Sequence, residues 1–370
     1  MIFQVLCQVA SWILSIPDVL FPLLNILPGG PRFFSGGYGN TKIYFNRRNN
    51  VIQSLSNGTS MLNSSTIQLV QSNRDGGIVL SNGQFQSPVA KELPKEAQTC
   101  YFKLVEPDVQ SSPQQKQKNK VYVVMFPATG EMGSSTRLAM AKKLALKQGW
   151  SSVIITAPFY GKRKPSNQKL FFIDSVTNIL LQSQAIIEEG LLITSWLMDK
   201  SEDALVCHTG FSYGAAMCTC TSAISLAAGL DGNRLSCAPY VGCSSPNTLA
   251  DGVLESGIDW NALTKKPNEA YEIKRKRLYD LFDETQLTAL AKQAQGRKLA
   301  VARGVSFSND GFVRPVYAKA LEFQLEPISA SPVTFQWYPG GHAIGALLRP
   351  YLQQRLIEKT VQELEASRQN

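Results

Sequence analysis

Short apolar runs alternate with longer amphipathic stretches over most of the chain after residue 120. Apolar runs of about four to eight residues predict buried strands, whereas apolar positions recurring three and four residues apart predict helices. Strands that alternate with helices favour an α/β architecture, here a doubly wound, mostly parallel sheet. On this pattern we predict strands at 78–86, 99–105, 121–126, 153–157, 204–207, 235–241, 299–305 and 333–337, and helices at 134–148, 174–199 and 215–228.

Two intervals depart from this alternation. Residues 40–77 are polar and rich in turn-forming residues, so we interpret residues 1–77 as an apolar extension followed by a polar linker, and residues 78–370 as one catalytic domain. Residues 246–296 carry charged, helix-forming sequence between two strands. We expect this second interval to be a lid-like helical insertion.

The first 31 residues contain no Lys or Arg and one charged residue, Asp18. Residues 1–16 have an amphipathic helical pattern that Pro17 ends. Because the apolar run is broken there, it is too short for a transmembrane helix of about 20 residues, and without basic residues it makes a poor secretory signal. We predict that residues 1–28 bind a membrane surface, with a helix packed on the catalytic domain as the alternative.

Composition narrows the partners and cofactors. The net charge is +9, and the basic runs 162–164 and 274–277, with lysines at 116, 118 and 120, suit anionic lipid headgroups. No motif that interleaves basic and aromatic residues supports nucleic-acid binding. Seven cysteines, mostly in apolar segments, and only two histidines do not form a metal-binding pattern. We therefore expect reduced cysteines, no metal and no cofactor.

The segment Gly210-Phe211-Ser212-Tyr213-Gly214 has the spacing of a nucleophile elbow. It follows an apolar run and precedes a helical one, so Ser212 is expected on a sharp strand-to-helix turn. Glycines on both sides let the strand and the helix pack closely around a strained serine. The alternative is a glycine-rich loop with an ordinary hydroxyl, because so short a pattern also arises by chance.

A serine hydroxyl needs a histidine to take its proton and a carboxylate to orient that histidine. His342 follows the last predicted strand, whereas His208 lies within the strand before the elbow and is expected to be structural. Asp310, after the strand 299–305, is the predicted acid, and Asp251 is its alternative. A turn role for Asp310 also stays open, because Asp-Gly is a common turn signal.

The loop 127–133 follows the strand 121–126 and opens a helix. Backbone N–H groups of Thr129 and Gly130, together with that of Tyr213, are candidates for an oxyanion hole. A phosphate-binding loop is the alternative, but the lysine of such a loop is missing.

Several separated motifs carry a family resemblance, and the Tyr-Gly-x-Arg-Lys-Pro block is the most distinctive. They are, in order, 83–88, 128–130, 158–165, 209–212, 252–260, 309–310 and 340–342. In these motifs the chain resembles the alpha/beta hydrolase domain-containing protein 18 family over about residues 80–350. The resemblance implies an alpha/beta-hydrolase fold and a serine hydrolase acting on lipid acyl esters, with mitochondrial phospholipid deacylation as the setting. Its triad would fall on Ser212, Asp310 and His342.

We therefore predict a membrane-associated serine hydrolase, a lipase or esterase, that cleaves a lipid ester through an acyl-Ser212 intermediate. A mitochondrial location follows from the resemblance alone. The alternatives are a small-molecule esterase or acyltransferase, and an inactive hydrolase fold that serves as a membrane-bound interaction module.

Overall fold

The computed structural model describes residues 15, 16, 18, 30–57, 67–108, 120–283 and 288–368 of the 370-residue chain. Within these residues a mixed sheet of nine strands forms the centre of the molecule. The order of the strands across the sheet is β1-β2-β3-β5-β4-β6-β7-β8-β9. The strands are β1 Gln68–Asp75, β2 Ile78–Gln86, β3 Thr99–Pro107, β4 Val121–Phe126, β5 Ser151–Ile155, β6 Leu205–Phe211, β7 Leu235–Tyr240, β8 Val301–Phe307 and β9 Thr334–Tyr338.

Strands β4 to β9 pair in parallel, whereas β1, β2 and β3 form an antiparallel meander, and β3 joins the parallel part through β5. The predicted doubly wound, mostly parallel sheet is confirmed. The central strands β4 and β6 are buried along their whole length, which explains the continuous apolar sequence of β4.

Helices cover both faces of the sheet, and each face has its own apolar core. One core includes side chains of α1, α3 and α4, and the other includes side chains of α2 and α8. The helices are α1 Thr41–Ser56, α2 Ser135–Gln148, α3 Val176–Asp199, α4 Tyr213–Ala227, α5 Tyr271–Asp283, α6 Thr288–Lys292, α7 Pro315–Leu325 and α8 His342–Ser367. Among these described helices, none is long and apolar enough to cross a bilayer.

The interval 40–77 differs from the polar linker expected from the sequence. It contains α1 and β1, and α1 packs against α3 with Tyr44, Val51 and Leu55 buried in the core. These three residues lie seven and four positions apart, so they share one face of the helix. Polar residues on the other faces hide this pattern, and a boundary at residue 77 would cut β1 from its partner β2.

The insertion 246–296 comprises two short 3-10 turns followed by α5 and α6. Leu263, Leu278 and Phe282 are buried in the same core as α3 and α4. This part of the chain therefore packs on the domain, and its action as a lid stays a prediction.

Both basic runs make internal contacts. Arg163 is fully buried and forms an ion pair with Glu189 at 2.6 Å. Lys274 is also buried, and the rest of its run pairs with carboxylates: Arg275 with Asp251, Lys276 with Asp280 and Arg277 with Glu269.

Candidate active site

Ser212 lies between the end of β6 and the start of α4, on the turn that the sequence predicts. Its backbone has φ 57° and ψ −119°, a conformation that a non-glycine residue rarely adopts. The Ser212 N–H donates to the Tyr240 carbonyl of the neighbouring strand at 3.0 Å. Tertiary structure thus holds the serine in a strained backbone geometry, which is a common feature of functional sites.

Steric crowding explains why both flanking residues of the elbow, Gly210 and Gly214, are glycines. A Cβ at Gly210 would lie 2.2 Å from the backbone of Gly214, and a Cβ at Gly214 would lie 2.7 Å from the Phe126 carbonyl oxygen. Both distances are shorter than real Cβ contacts allow. The strand, the helix and the neighbouring strand β4 can approach this closely only because both positions lack a side chain.

The three candidate oxyanion residues lie in different surroundings. Tyr213 is the first residue of α4, so its N–H has no acceptor within the helix. Thr129 lines the same cavity as Ser212 and Tyr213. Gly130 has φ 74° and a Cβ there would lie 3.2 Å from the Phe171 ring. Tyr213 and Thr129 therefore border one cavity together with the serine.

An ion pair between the half-buried Glu131 and the buried Arg137 holds the loop that carries Thr129. The Glu131 carboxylate accepts from the Ala128 N–H at 3.1 Å and from Arg137 Nε at 2.6 Å. Arg137 Nη1 also donates to the carbonyls of Met125 and Ile155, at 2.8 Å each. Two adjacent strands and the loop are thereby linked, which restricts the positions available to the loop backbone.

His342 is the first residue of α8, and Asp310 follows β8. His342 Nδ1 lies 2.8 Å from Asp310 Oδ2, and both side chains are buried. Asp310 Oδ1 accepts from the N–H groups of Phe312 and Val313 at 2.8 and 2.7 Å. The acid is thus fixed by its own loop while its other oxygen binds the imidazole.

The imidazole of His342 lies between two aromatic rings. The ring centroid of Phe211, the residue before Ser212, is 4.9 Å away, and that of Phe312 is 4.8 Å away. Burial alone lowers the pKa of His342, but the Asp310 charge and hydrogen bond, with the charge of Asp18, raise this pKa above its usual value. The site therefore stabilises an imidazolium, which a serine reaction needs when the histidine takes the proton.

Asp251, the alternative acid, lies in another network. Its carboxylate forms ion pairs with Arg275 and Arg314, at 2.7 Å each, and accepts from the Tyr317 hydroxyl at 3.0 Å. The geometry brings His342 together with Asp310, whereas Asp251 pairs with two arginines.

His208 lies below the elbow and is fully buried. Its Nε2 lies 2.8 Å from Thr194 Oγ1, and its Nδ1 lies 2.9 Å from Ser222 Oγ. Burial lowers the pKa of His208 to about 3, so the ring is neutral at physiological pH. Both ring nitrogens have hydroxyl partners, which fits the structural role expected from its position inside β6.

An apolar cavity opens beside Ser212. Helices α3 and α4 form much of its wall, and the insertion closes another side. The lining side chains are mainly apolar and include Tyr44, Ile179, Leu180, Ile187, Ala216, Met217, Cys220, Leu249, Leu254 and Phe282.

Sequence reasoning missed Asp18 as a residue of this site. The Asp18 carboxylate accepts from the backbone N–H groups of His342 and Ala343, at 2.6 and 2.8 Å. The available signal was a single charge in an apolar segment, since such a charge needs a partner when it is buried. The other residues that bear on the predicted membrane segment 1–28 lie outside the described part, apart from Ser15 and Ile16. No three His, Cys, Asp or Glu side chains within the described ranges lie close enough together to hold a metal ion.

Two solved esterase structures are similar to this fold. Acetyl xylan esterase 1 from Thermoanaerobacterium sp. JW/SL YS485 matches with a TM-score of 0.52 and 13% identity over 88% of this chain and 96% of that one. A cold-adapted esterase from an Arctic intertidal metagenomic library matches with a TM-score of 0.48 and 14% identity over 78% of this chain and 99% of that one. At such low identity the likeness concerns the fold.

A protein-family model gives the more specific match. The model described as alpha/beta hydrolase domain containing 18 matches residues 31–303, about three quarters of the chain. The matched range includes α1, β1, the loop of Thr129 and the elbow at Ser212, so the resemblance found in the sequence motifs is confirmed. The chain belongs to the alpha/beta hydrolase domain containing 18 family.

Proposed function

We propose that the protein is a serine hydrolase that cleaves carboxylic esters, with Ser212 as nucleophile, His342 as general base and Asp310 as the residue that orients His342. The observation that carries this proposal is the combination of a strained serine elbow with a buried His–Asp pair. The Phe211 ring, next to the serine in sequence, contacts the imidazole, which supports a common reaction site for both.

In the proposed reaction, Ser212 Oγ attacks the ester carbonyl carbon while His342 takes the hydroxyl proton. The resulting oxyanion accepts hydrogen bonds from the backbone N–H groups of Tyr213 and Thr129. Its collapse breaks the ester C–O bond, and the alcohol leaves with the proton from His342. Water then attacks the acyl-serine by the same route, which releases the carboxylic acid and restores Ser212.

We propose a lipid as the substrate class. The support is the apolar cavity beside Ser212, since an acyl chain can be removed from water between the apolar side chains of α3 and α4. The insertion supplies Leu249, Leu254 and Phe282 to this wall, so a movement of the insertion would open or close the cavity. It is therefore a candidate lid. A phospholipid of the mitochondrial membrane is the substrate that the family resemblance suggests.

We further propose that the protein binds the surface of a membrane. Support comes from exposed apolar side chains on α8, because Leu347 is 73% exposed and Tyr351, four residues later on the same helix face, is 62% exposed. The basic runs contribute less, since most of their charges already have carboxylate partners.

Flotation with vesicles of a phospholipid can test this contact. Leu347→Ser combined with Tyr351→Ser should weaken flotation, whereas Phe323→Ser, an exposed apolar residue on α7, serves as the matched control. Equal flotation of the double variant and the unchanged protein would contradict membrane binding through α8.

A fluorophosphonate probe tests the catalytic proposal directly. Ser212→Ala should abolish labelling and ester hydrolysis, since loss of a triad residue costs about 10⁴-fold or more in rate. The variant should keep the melting temperature of the natural protein, because alanine at position 212 has the same strained backbone conformation as serine. Labelling that persists in Ser212→Ala would overturn the assignment, and an unlabelled natural protein would favour an inactive interaction module.

A further inference from the structure

Asp18 is the one charged residue among the first 31, and it is buried to 1% exposure. Its carboxylate accepts three backbone hydrogen bonds. Oδ2 accepts from the N–H groups of Gly311 at 3.0 Å and His342 at 2.6 Å, and Oδ1 accepts from Ala343 at 2.8 Å.

These three N–H groups belong to the two elements that carry the acid and the base. Gly311 directly follows Asp310 in the loop after β8, and His342 and Ala343 form the first turn of α8. The N-terminus of a helix favours a negative charge, because its first N–H groups lack acceptors within the helix. One carboxylate therefore joins the acid loop to the start of the histidine helix.

The fit around the carboxylate is close. A Cβ at Gly341 would lie 2.4 Å from Asp18 Oδ2, and a Cβ at Gly311 would lie 3.2 Å from Asp18 Cβ. The glycine before His342 and the glycine after Asp310 thus leave the space that Asp18 occupies. At Gly341 the contact with Asp18 alone excludes a side chain, whereas at Gly311 a Cβ would also lie 2.9 Å from a Val253 methyl group.

We propose that Asp18 is a positioning residue that holds the backbones of His342 and Asp310 in the register their hydrogen bond requires. The inference rests on the proposed function of the His–Asp pair. It makes Asp18 a part of the catalytic unit, although Asp18 contributes no group to the chemistry itself.

The pKa of His342 can report on this role, because it depends on the charges around the imidazole. The carboxylates of Asp310 and Asp18 face it from the acid loop and the N-terminal segment, and both raise its pKa. Arg349, on α8, lies over the Phe211 ring at 5.3 Å. Two further titratable side chains in this region are neutral: Tyr240 donates to the Gly345 carbonyl, and burial raises the pKa of Cys243 to about 12.

Histidine NMR can measure this pKa in the full-length protein without using activity. The chain has only two histidines, and His208, with a pKa of about 3, does not titrate near neutrality. In protein labelled with ¹⁵N-histidine, the signal that titrates at the higher pH is therefore that of His342, whose pKa is raised, and not that of His208. Asp18→Asn removes the charge of the side chain. Asp18→Ser also removes the charge and keeps one oxygen acceptor, and this second variant is used if Asp18→Asn does not fold.

A matched control is Asp259→Asn. Asp259 Oδ1 also accepts two backbone N–H bonds, from Asn261 and Ala262 at 3.1 Å each, but it has no contact with the His–Asp pair. This control variant shows how stability and activity change when an aspartate that binds backbone N–H groups elsewhere in the fold is lost.

We expect the Asp18 variants to lower the pKa of His342, to lower kcat on a short soluble ester by about 10²-fold through displacement of the reacting groups, and to leave KM nearly unchanged. Asp259→Asn should change neither the pKa nor kcat. Asp18 variants that lose thermal stability but keep the pKa of His342 and kcat would overturn the proposal. If the natural protein does not hydrolyse esters, the proposed function is contradicted. The NMR titration would still decide whether Asp18 acts on His342.

Discussion

Asp310 binds His342 with one carboxylate oxygen and the N–H groups of its own loop with the other. The acid therefore cannot rotate without losing backbone hydrogen bonds, and it keeps the imidazole proton on Nδ1. In the proposed reaction, Nε2 is then the nitrogen that accepts the proton from Ser212.

Asp310→Asn should lower kcat on a chromogenic ester by about 10⁴-fold, because an amide favours the wrong histidine tautomer. The control is Asp251→Asn, which alters the pairing with Arg275 and Arg314 away from the histidine. We expect that variant to lose some stability and to keep kcat within about tenfold. The opposite order of activities would show that Asp251 is the acid.

Cys220→Trp should shift the chain-length preference of ester hydrolysis. Cys220 lines the apolar cavity on α4, two turns beyond the serine, so an indole there would fill space that a long acyl chain needs. We expect at least about tenfold loss of kcat/KM for a long-chain ester and little change for an acetate ester. Cys220→Ser keeps the cavity open and is the control. An equal loss on both esters would mean that the cavity does not bind the acyl chain.

Ser212→Gly should produce a more stable, inactive protein. A non-glycine residue at φ 57° costs about 1–3 kcal/mol of strain, and glycine removes this cost while losing about 0.5–1 kcal/mol through greater chain entropy in the unfolded state. We expect a net gain of about 1 kcal/mol in the free energy of unfolding, measured by denaturant titration. Ser212→Ala keeps the strain, so a similar gain in both variants would show that the strain is not its source.

His208 should make the fold sensitive to acid. Its folded pKa of about 3 lies below the unfolded value of about 6.5, so between these values the unfolded chain binds a proton that the folded chain excludes. The contribution of neutral His208 to stability is thus complete above pH 6.5 and declines by about 1.4 kcal/mol per pH unit below it. The folded pKa of His342 is raised, so its contribution has the opposite sign and is lost as pH rises through that pKa.

His208→Gln removes the first effect. The variant should unfold more easily than the natural protein at pH 7.5, because Thr194 or Ser222 loses a well-placed partner. Its free energy of unfolding should nevertheless fall less steeply between pH 6.5 and 4.5. Parallel pH dependences of the two proteins would show that His208 is protonated in the fold.

The sequence by itself determined the architecture and the order of the candidate site. Continuous apolar runs such as Val121–Phe126 mark strands that are buried on both faces, and the glycines around Ser212 mark a turn that admits no side chains. These signals can be read locally, because the apolar run and the glycine spacing each lie within a few consecutive residues, whereas the contacts with Tyr240 and Phe126 that complete the elbow come from the tertiary structure. Helix α1 was not predicted, because it has only a few apolar positions at helical spacing and its other faces are polar.

Only the tertiary structure decided which distant groups meet. The choice of Asp310 over Asp251 as the partner of His342 depends on where two loops end after separate strands, and both aspartates follow strands in the sequence. The contact of Asp18 with the histidine helix joins residues 324 positions apart. No periodicity encodes such a contact, because it arises when a buried charge finds the unsatisfied N–H groups that folding has brought to the same place.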